Sequence, residues 1–271
     1  MSLISSMPLE EVLIDVNKVN IPDEGLGEFR FGYTQETVSF NWSCILWNLL
    51  PLVGQILFLY HLITYLWTKS HANRILLYEH GFIKQVVDMK GRVKKESVYD
   101  FYKINGVKYS KTRQYQNIYG IQRYNCTAVS LHILGSDNAE ELVIGGMYRN
   151  ENELDNQYNF VGYACNSIRS TWLQFAIDKF NKEISTVGYG TFISKSGRVL
   201  VGKEFIQVND QVVGPGFKYS FDSGYLYLYP NDEEGAHFKK KSKSVVINVA
   251  EMYNSDVFLI ALQQFFGIKQ R

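Results

Sequence analysis

"ILLYEHGFIKQ", Ile75 to Gln85, and "TFISKSGRVLV", Thr191 to Val201, are built alike. In each, an apolar run meets a short polar turn closed by glycine and gives way to a second apolar run, the pattern of two strands joined by a tight turn. Working outward from the first stretch, strand candidates lie at 75–79, 81–88, 92–99, 102–110, 118–123, 126–134 and 140–146. Turn signals separate them: Glu79-His-Gly, Met89-Lys-Gly, Ile104-Asn-Gly and Gly135-Ser-Asp-Asn. Asn105-Gly106 in particular is a dipeptide that favours tight hairpins. From about Asp155 to Asn181 the texture changes. Phe160, Ala164, Ile168, Trp172, Phe175, Ile177 and Phe180 recur mostly at intervals of three and four, which predicts one long helix.

The second stretch sits in a terser copy of the same plan. Strand candidates fall at 190–194, 197–201, 204–208, 211–213, 217–221, 225–229 and 244–249. "YNSDVFLIALQQFF" then predicts a helix capped by Ser255 or Asn254, with Val257, Ile260, Ala261, Gln264 and Phe265 on its inner face. Each copy is thus a run of short antiparallel strands followed by one helix. A sheet of seven short strands needs its open end covered, and the trailing helix is placed to do it. The expected fold class is mainly β with added α. It comprises two pleckstrin-homology-like antiparallel barrels, each closed by a C-terminal helix, plus a membrane helix or hairpin.

That last element comes from an uncharged stretch between Glu36 and Lys69, with "WSCILWNLLPLVGQILFLYHLITYLW" at its heart, Trp42 to Trp67. A helix crossing the hydrocarbon layer needs about 20 apolar residues. Trp42, Trp47, Tyr65 and Trp67 lie towards the two ends, where amphipathic rings favour the headgroup zone. Pro51 and Gly54 interrupt it, so the choice between one crossing and a hairpin dipping into one leaflet stays open. Asn48 and Gln55 fall near one helical face and are the candidates for association between such helices, and hence for a homo-oligomer. Lys69, Arg74, Lys84 and Lys90 follow the segment, which places the C-terminal domains in the cytoplasm. The resulting organisation is residues 1–41 as an amphipathic helix and linker, 42–67 as membrane segment, 74–184 as the first β-domain and 187–271 as the second.

"RILLYEHGFI", "VKYSKTRQYQNIYGI", "YGTFISKSGRVLVGKEF" and "VAEMYNSDVFLIAL" together resemble a family of uncharacterised, mostly bacterial proteins. Those carry a membrane segment followed by tandem pleckstrin-homology-like β-domains. The likeness runs from about Leu26 onward. It rests on turns and strand patterns and implies the fold; it implies no activity, cofactor or site residue. Where such modules often have an apolar or tryptophan position after the second turn, this chain has Tyr99, Phe101 and Phe205.

Composition narrows the chemistry. The 271 residues carry a formal net charge of +1, so no global charge argument for nucleic acid exists, and none is expected as a partner. Three cysteines, Cys44, Cys126 and Cys165, are too scattered for a disulfide framework or a zinc site. His61, His71, His80, His132 and His237 show no ligand spacing. No nucleophile elbow, phosphate loop or dinucleotide fingerprint occurs. No catalytic, cofactor-binding or metal residue is assigned, and no cofactor is expected.

One local signal stands out. From Lys84 to Arg123 ten cations face three acids, and tyrosines interleave with them. Lys103, Lys108, Lys111 and Arg113, with Tyr109 and Tyr115, are therefore the candidate contacts for anionic lipid headgroups or an anionic partner. The functional expectation is a membrane-anchored adaptor or lipid-proximal binding module without catalytic activity. The alternative is an enzyme or lipid-handling factor with a site between the two β-domains.

Overall fold

The structure is a computed structural model and describes residues 22, 24–34, 53–148, 160–195, 197–229 and 244–268. The elements, in chain order, are β1 (Phe29–Thr34), α1 (Val53–Ser70), β2 (Ala72–Tyr78), β3 (Gly81–Val87), β4 (Val93–Asp100), β5 (Ile104–Ile118), β6 (Ile121–Gly135), β7 (Glu140–Tyr148) and α2 (Phe160–Val187). After these come β8 (Tyr189–Ser194), β9 (Gly197–Gly202), β10 (Ile206–Val208), β11 (Gln211–Val213), β12 (Lys218–Asp222), β13 (Tyr225–Tyr229), β14 (Val245–Asn248) and α3 (Ser255–Phe266). The chain divides into two compact units. The first is 1–103, 111–130 and 143–168; the second is 104–110, 131–142 and 169–271.

In the first unit β1-β2-β3-β4 form one antiparallel sheet. Its centre is the Ile75–Gln85 stretch: Leu76 pairs with Gly32 on one side and with Ile83 on the other. Ile75, Leu76, Leu77, Phe82 and Ile83 are fully buried, so this sheet is covered on both faces along β2. That is why β2 reads as a continuous apolar run instead of an alternating one. Tyr33 stacks on Tyr163, with ring centroids 6.0 Å apart, and its hydroxyl lies 2.7 Å from that of Ser167, which ties β1 to the first turns of α2.

The second unit contains the sheet β11-β10-β9-β8 and the sheet β12-β13-β14. Val199, Val201, Ile206, Leu226, Leu228 and Ile247 are buried between strand neighbours, and Phe258 and Leu262 of α3 join them. Phe192 meets Phe258 edge-on at 5.3 Å and Phe180 at 5.7 Å, so one aromatic chain links α2, β8 and α3. A fourth sheet, β5-β6-β7, contributes residues to both units. Tyr119 and Gly120 join its two long strands with φ of 53° and 79°, the primed-turn geometry that matches strand twist.

Three expectations need correction. Among the described residues the β-runs form four open antiparallel sheets and not closed pleckstrin-homology-like barrels. Closure fails at the joints. A single 3-10 turn, Phe101–Lys103, separates β4 from β5, and the loop holding Pro215 separates β11 from β12. No ladder among the described residues joins the sheet on one side of either joint to the sheet on the other. The Asn105-Gly106 dipeptide is not a hairpin tip; it opens the 15-residue strand β5.

The second correction concerns the membrane helix. No helix among the described residues is long and apolar enough to cross a membrane. The described part of the uncharged stretch is α1, whose apolar residues are diluted by Gln55, His61 and Thr64 and which runs into Thr68, Lys69 and Ser70. Residues 42–52, Asn48 included, and the expected N-terminal helix lie outside the described residues. The third correction follows from the second: placement in a membrane with cytoplasmic C-terminal domains rested on that helix and loses its basis. α1 does expose Ile56, Leu59, Tyr60, Ile63 and Trp67.

Candidate functional site

Asn254 holds the second unit's site together. It sits at the N-cap of α3 in the left-handed region, φ 58° and ψ 32°, where asparagine is among the few residues tolerated. A cap residue usually spends its side chain on the helix it starts. This one does not. Its Oδ1 accepts the Val107 N–H at 3.0 Å and the Trp172 Nε1–H at 2.8 Å, and its Nδ2 donates to the Asn105 carbonyl at 3.1 Å. Its main-chain N–H donates to the Val107 carbonyl at 2.8 Å. One side chain therefore fastens α3 and the indole of α2 to the start of β5.

Beside it lies a cleft of about 240 Å³. Leu134, Trp172, Ala176, Phe180, Phe192 and Val257 form its apolar floor, all buried. The α2 contribution, Trp172, Ala176, Lys179, Phe180 and Glu183, recurs at offsets of four, seven, eight and eleven, which is one helical face. Across from that face stands β8. Gly190 lies so close to Phe180 that a Cβ there would meet the ring at 2.2 Å, so glycine at this position is what lets the helix seat its aromatic residue against the strand. The rim carries Lys179, Glu183 and Arg198, with the Arg198 guanidinium donating to Thr191 Oγ1 at 3.3 Å. An apolar floor with a few convergent polar groups is the usual make-up of a ligand site.

A charged cluster also belongs to this unit. Lys108 is buried, and its ammonium lies 2.8 Å from Glu140, 3.4 Å from Glu251 and 5.2 Å from the Tyr253 ring centroid. Glu140 additionally faces His132 Nδ1 at 2.8 Å, and Glu251 faces Lys195 at 3.3 Å. The hydrogen bond from Lys108 holds the Glu140 carboxyl below the usual carboxylate range. For Glu251, burial pushes upward, but hydrogen bonds from Lys195 and Lys108 together outweigh it and the carboxyl is lowered. Burial, then the neighbouring Glu140 carboxylate, raises the Tyr253 phenol. Arg169 forks onto Asp256 with contacts of 2.6 and 2.5 Å and lies 4.9 Å over the Tyr109 ring.

The sequence-derived contact residues thus have unlike surroundings. Lys108 and Tyr109 are built into the second unit by the interactions just given. Lys103 is exposed and pairs with Asp100 at 3.4 Å, while Lys111 and Arg113 are exposed along β5. Tyr115 is half exposed and meets Tyr124 edge-on at 6.1 Å. Gln55 is exposed on α1. Among the described residues no group of three or more His, Cys, Asp or Glu is arranged to hold a metal ion. Cys165 is fully buried, and burial pushes its thiol up to about 12, which keeps it from acting as a thiolate.

Reading the sequence alone misses the cleft. Trp172 and Phe180 read as a core face, and Asn254 as an ordinary cap. Lys179, Glu183, Thr191 and Arg198 give no signal of their own. The one usable hint is that the apolar stripe of α2 takes in Lys179 and Glu183, a face not wholly given over to core.

Scans against family models, curated proteins and solved structures return no match, so function is argued from geometry alone.

Proposed function

We propose that this chain is a binding module without catalytic chemistry of its own, an adaptor whose second unit takes a segment of a partner protein into the cleft beside Asn254. The observation that carries this is the composition of the cleft wall. Trp172, Phe180 and Phe192 offer a preformed aromatic floor, and its polar neighbours are positioning groups with charge at the rim. Aromatic anchors in a desolvated pocket, ringed by polar residues, are where binding energy concentrates at protein interfaces. The hydrogen bonds of Asn254 hold the indole in place before any ligand arrives, which lowers the ordering cost of association.

The test is selection of random peptides displayed on phage against the whole chain, with Ala176→Trp as a counter-target whose cleft is filled. Circular dichroism checks that this variant folds, and Lys179→Glu serves as a milder second variant. Peptides enriched on the natural chain and lost on the filled one support the reading. Enrichment that ignores both substitutions, or no enrichment, overturns it.

A further inference from the structure

Resting on that reading, we infer that the partner segment binds as an added β-strand on the open Tyr189–Thr191 part of the β8 edge, with a large apolar side chain in the cleft and an acidic residue beside Lys179 and Arg198. Three observations lead there. First, among the described residues β8 is the last strand of its sheet and pairs with β9 alone. Second, the direction of its main-chain groups is fixed. Ser194 and Gly197 close the β8–β9 hairpin, and pairing alternates along the strand from there. Ile193 must then point its polar groups away from β9, and it does so, accepting the Tyr253 N–H at 2.9 Å. By the same alternation Thr191 and Tyr189 turn their N–H and C=O outward. Among the described residues neither has a main-chain partner on that side.

Third, the cleft lies along this edge. Thr191, Phe192 and Ile193 all line it. Successive strand residues point to opposite faces of a sheet. Three in a row border one cleft only when the main chain between them borders it too. An extended peptide entering here gains main-chain bonds from Thr191 and places alternate side chains on the Trp172–Phe180–Phe192 floor, the physics of strand addition. Charge completes the description. Lys179 and Arg198 outnumber Glu183 on the rim, which selects an acidic neighbour for the buried residue.

The experiment uses the peptides enriched in the phage selection, synthesised with single main-chain N-methyl groups at each position in turn. We expect affinity to fall at least about tenfold when the methyl replaces the N–H that meets Thr191, and to hold when it sits on the residue next to it, with its N–H facing away. Thr191→Pro removes the outward N–H without touching the β9 ladder, a placement proline tolerates on an edge strand. It is expected to keep the β-sheet circular dichroism and lose binding by a similar factor, while Thr191→Ser retains it. Lys179→Glu with Arg198→Glu is expected to shift selection from acidic to basic neighbours. Binding that is indifferent to every N-methyl group and to Thr191→Pro overturns strand addition while leaving a cleft-binding module intact. A selection that yields no cleft-dependent peptide overturns both.

Discussion

β5 is one strand with two characters. Its first half, "INGVKYS", Ile104 to Ser110, is held on every side: Val107 bonds Asn254 through both its main-chain groups, Lys108 is shared by Glu140 and Glu251, and the Tyr109 ring supports Arg169. Its second half, "KTRQYQNI", Lys111 to Ile118, is exposed at every position. Both halves are basic, both carry tyrosine, and both are strand. The difference is supplied by residues far along the chain, at 140, 251, 254 and 256. A lysine in an alternating pattern carries no mark of whether distant acids will reach it. The basic-aromatic signal of the sequence therefore joined a structural cation to solvent-facing ones.

The sharpest way to break this contrast is to remove the hub of the held half. Asn254→Ala deletes acceptors for the Val107 N–H and the Trp172 indole, and leaves alanine in the left-handed region. Each buried donor left unsatisfied costs about 1–3 kcal/mol, and the backbone strain adds to it. The expected loss is about 3–4 kcal/mol in chemical denaturation. Asn254→Gly relieves the strain and not the hydrogen bonds, so it is expected to lie between the two. A loss for the alanine variant below about 1 kcal/mol would show that Asn254 organises nothing.

Next in size is Lys108→Met, which keeps the side chain's length and buried stem but strips Glu140 and Glu251 of a common partner. We expect a loss of about 1–3 kcal/mol near neutral pH. The pH dependence has a definite sign. Both carboxyls are lowered in the folded protein, so their contribution is fully present above the ordinary glutamate value of 4.5 and disappears as pH falls through the depressed values. The natural chain should therefore lose stability below pH 4.5 more steeply than Lys108→Met. Parallel acid titration curves for the two proteins would sink the account of the cluster.

Much of the fold is legible because strand and turn signals are local. Glycine-closed turns and apolar runs locate β3, β8, β9, β13 and α3 to within a residue or two, whereas β2 starts at Ala72, three residues before its expected start. What is not legible depends on partners. β1 hides behind a glycine-rich loop because only its pairing with β2 makes it a strand. The sheets stay open because a 3-10 turn and a proline loop halt pairing, and neither signals in advance which strands will part. The cleft is illegible for a related reason. Trp172 and Phe180 repeat as a core face should, and nothing local reveals that β8 passes close against the Phe180 ring at Gly190.

The exposed half offers the smaller effects. Lys111→Ala with Arg113→Ala should change stability by no more than about 0.5 kcal/mol, the range of surface substitutions, because both residues are exposed. Tyr119→Asn goes further and should be stabilising. Tyr119 occupies the first position of the β5–β6 turn at φ 53° and is fully exposed, so its ring gives back nothing for a backbone state that tyrosine disfavours. Asparagine followed by glycine is the pair such turns prefer, and Gly120 already stands at φ 79°. A gain of a few tenths to about 1 kcal/mol in the denaturation midpoint is expected. A loss would mean that the ring packs against something, and the open half of the strand would then be held as firmly as the closed one.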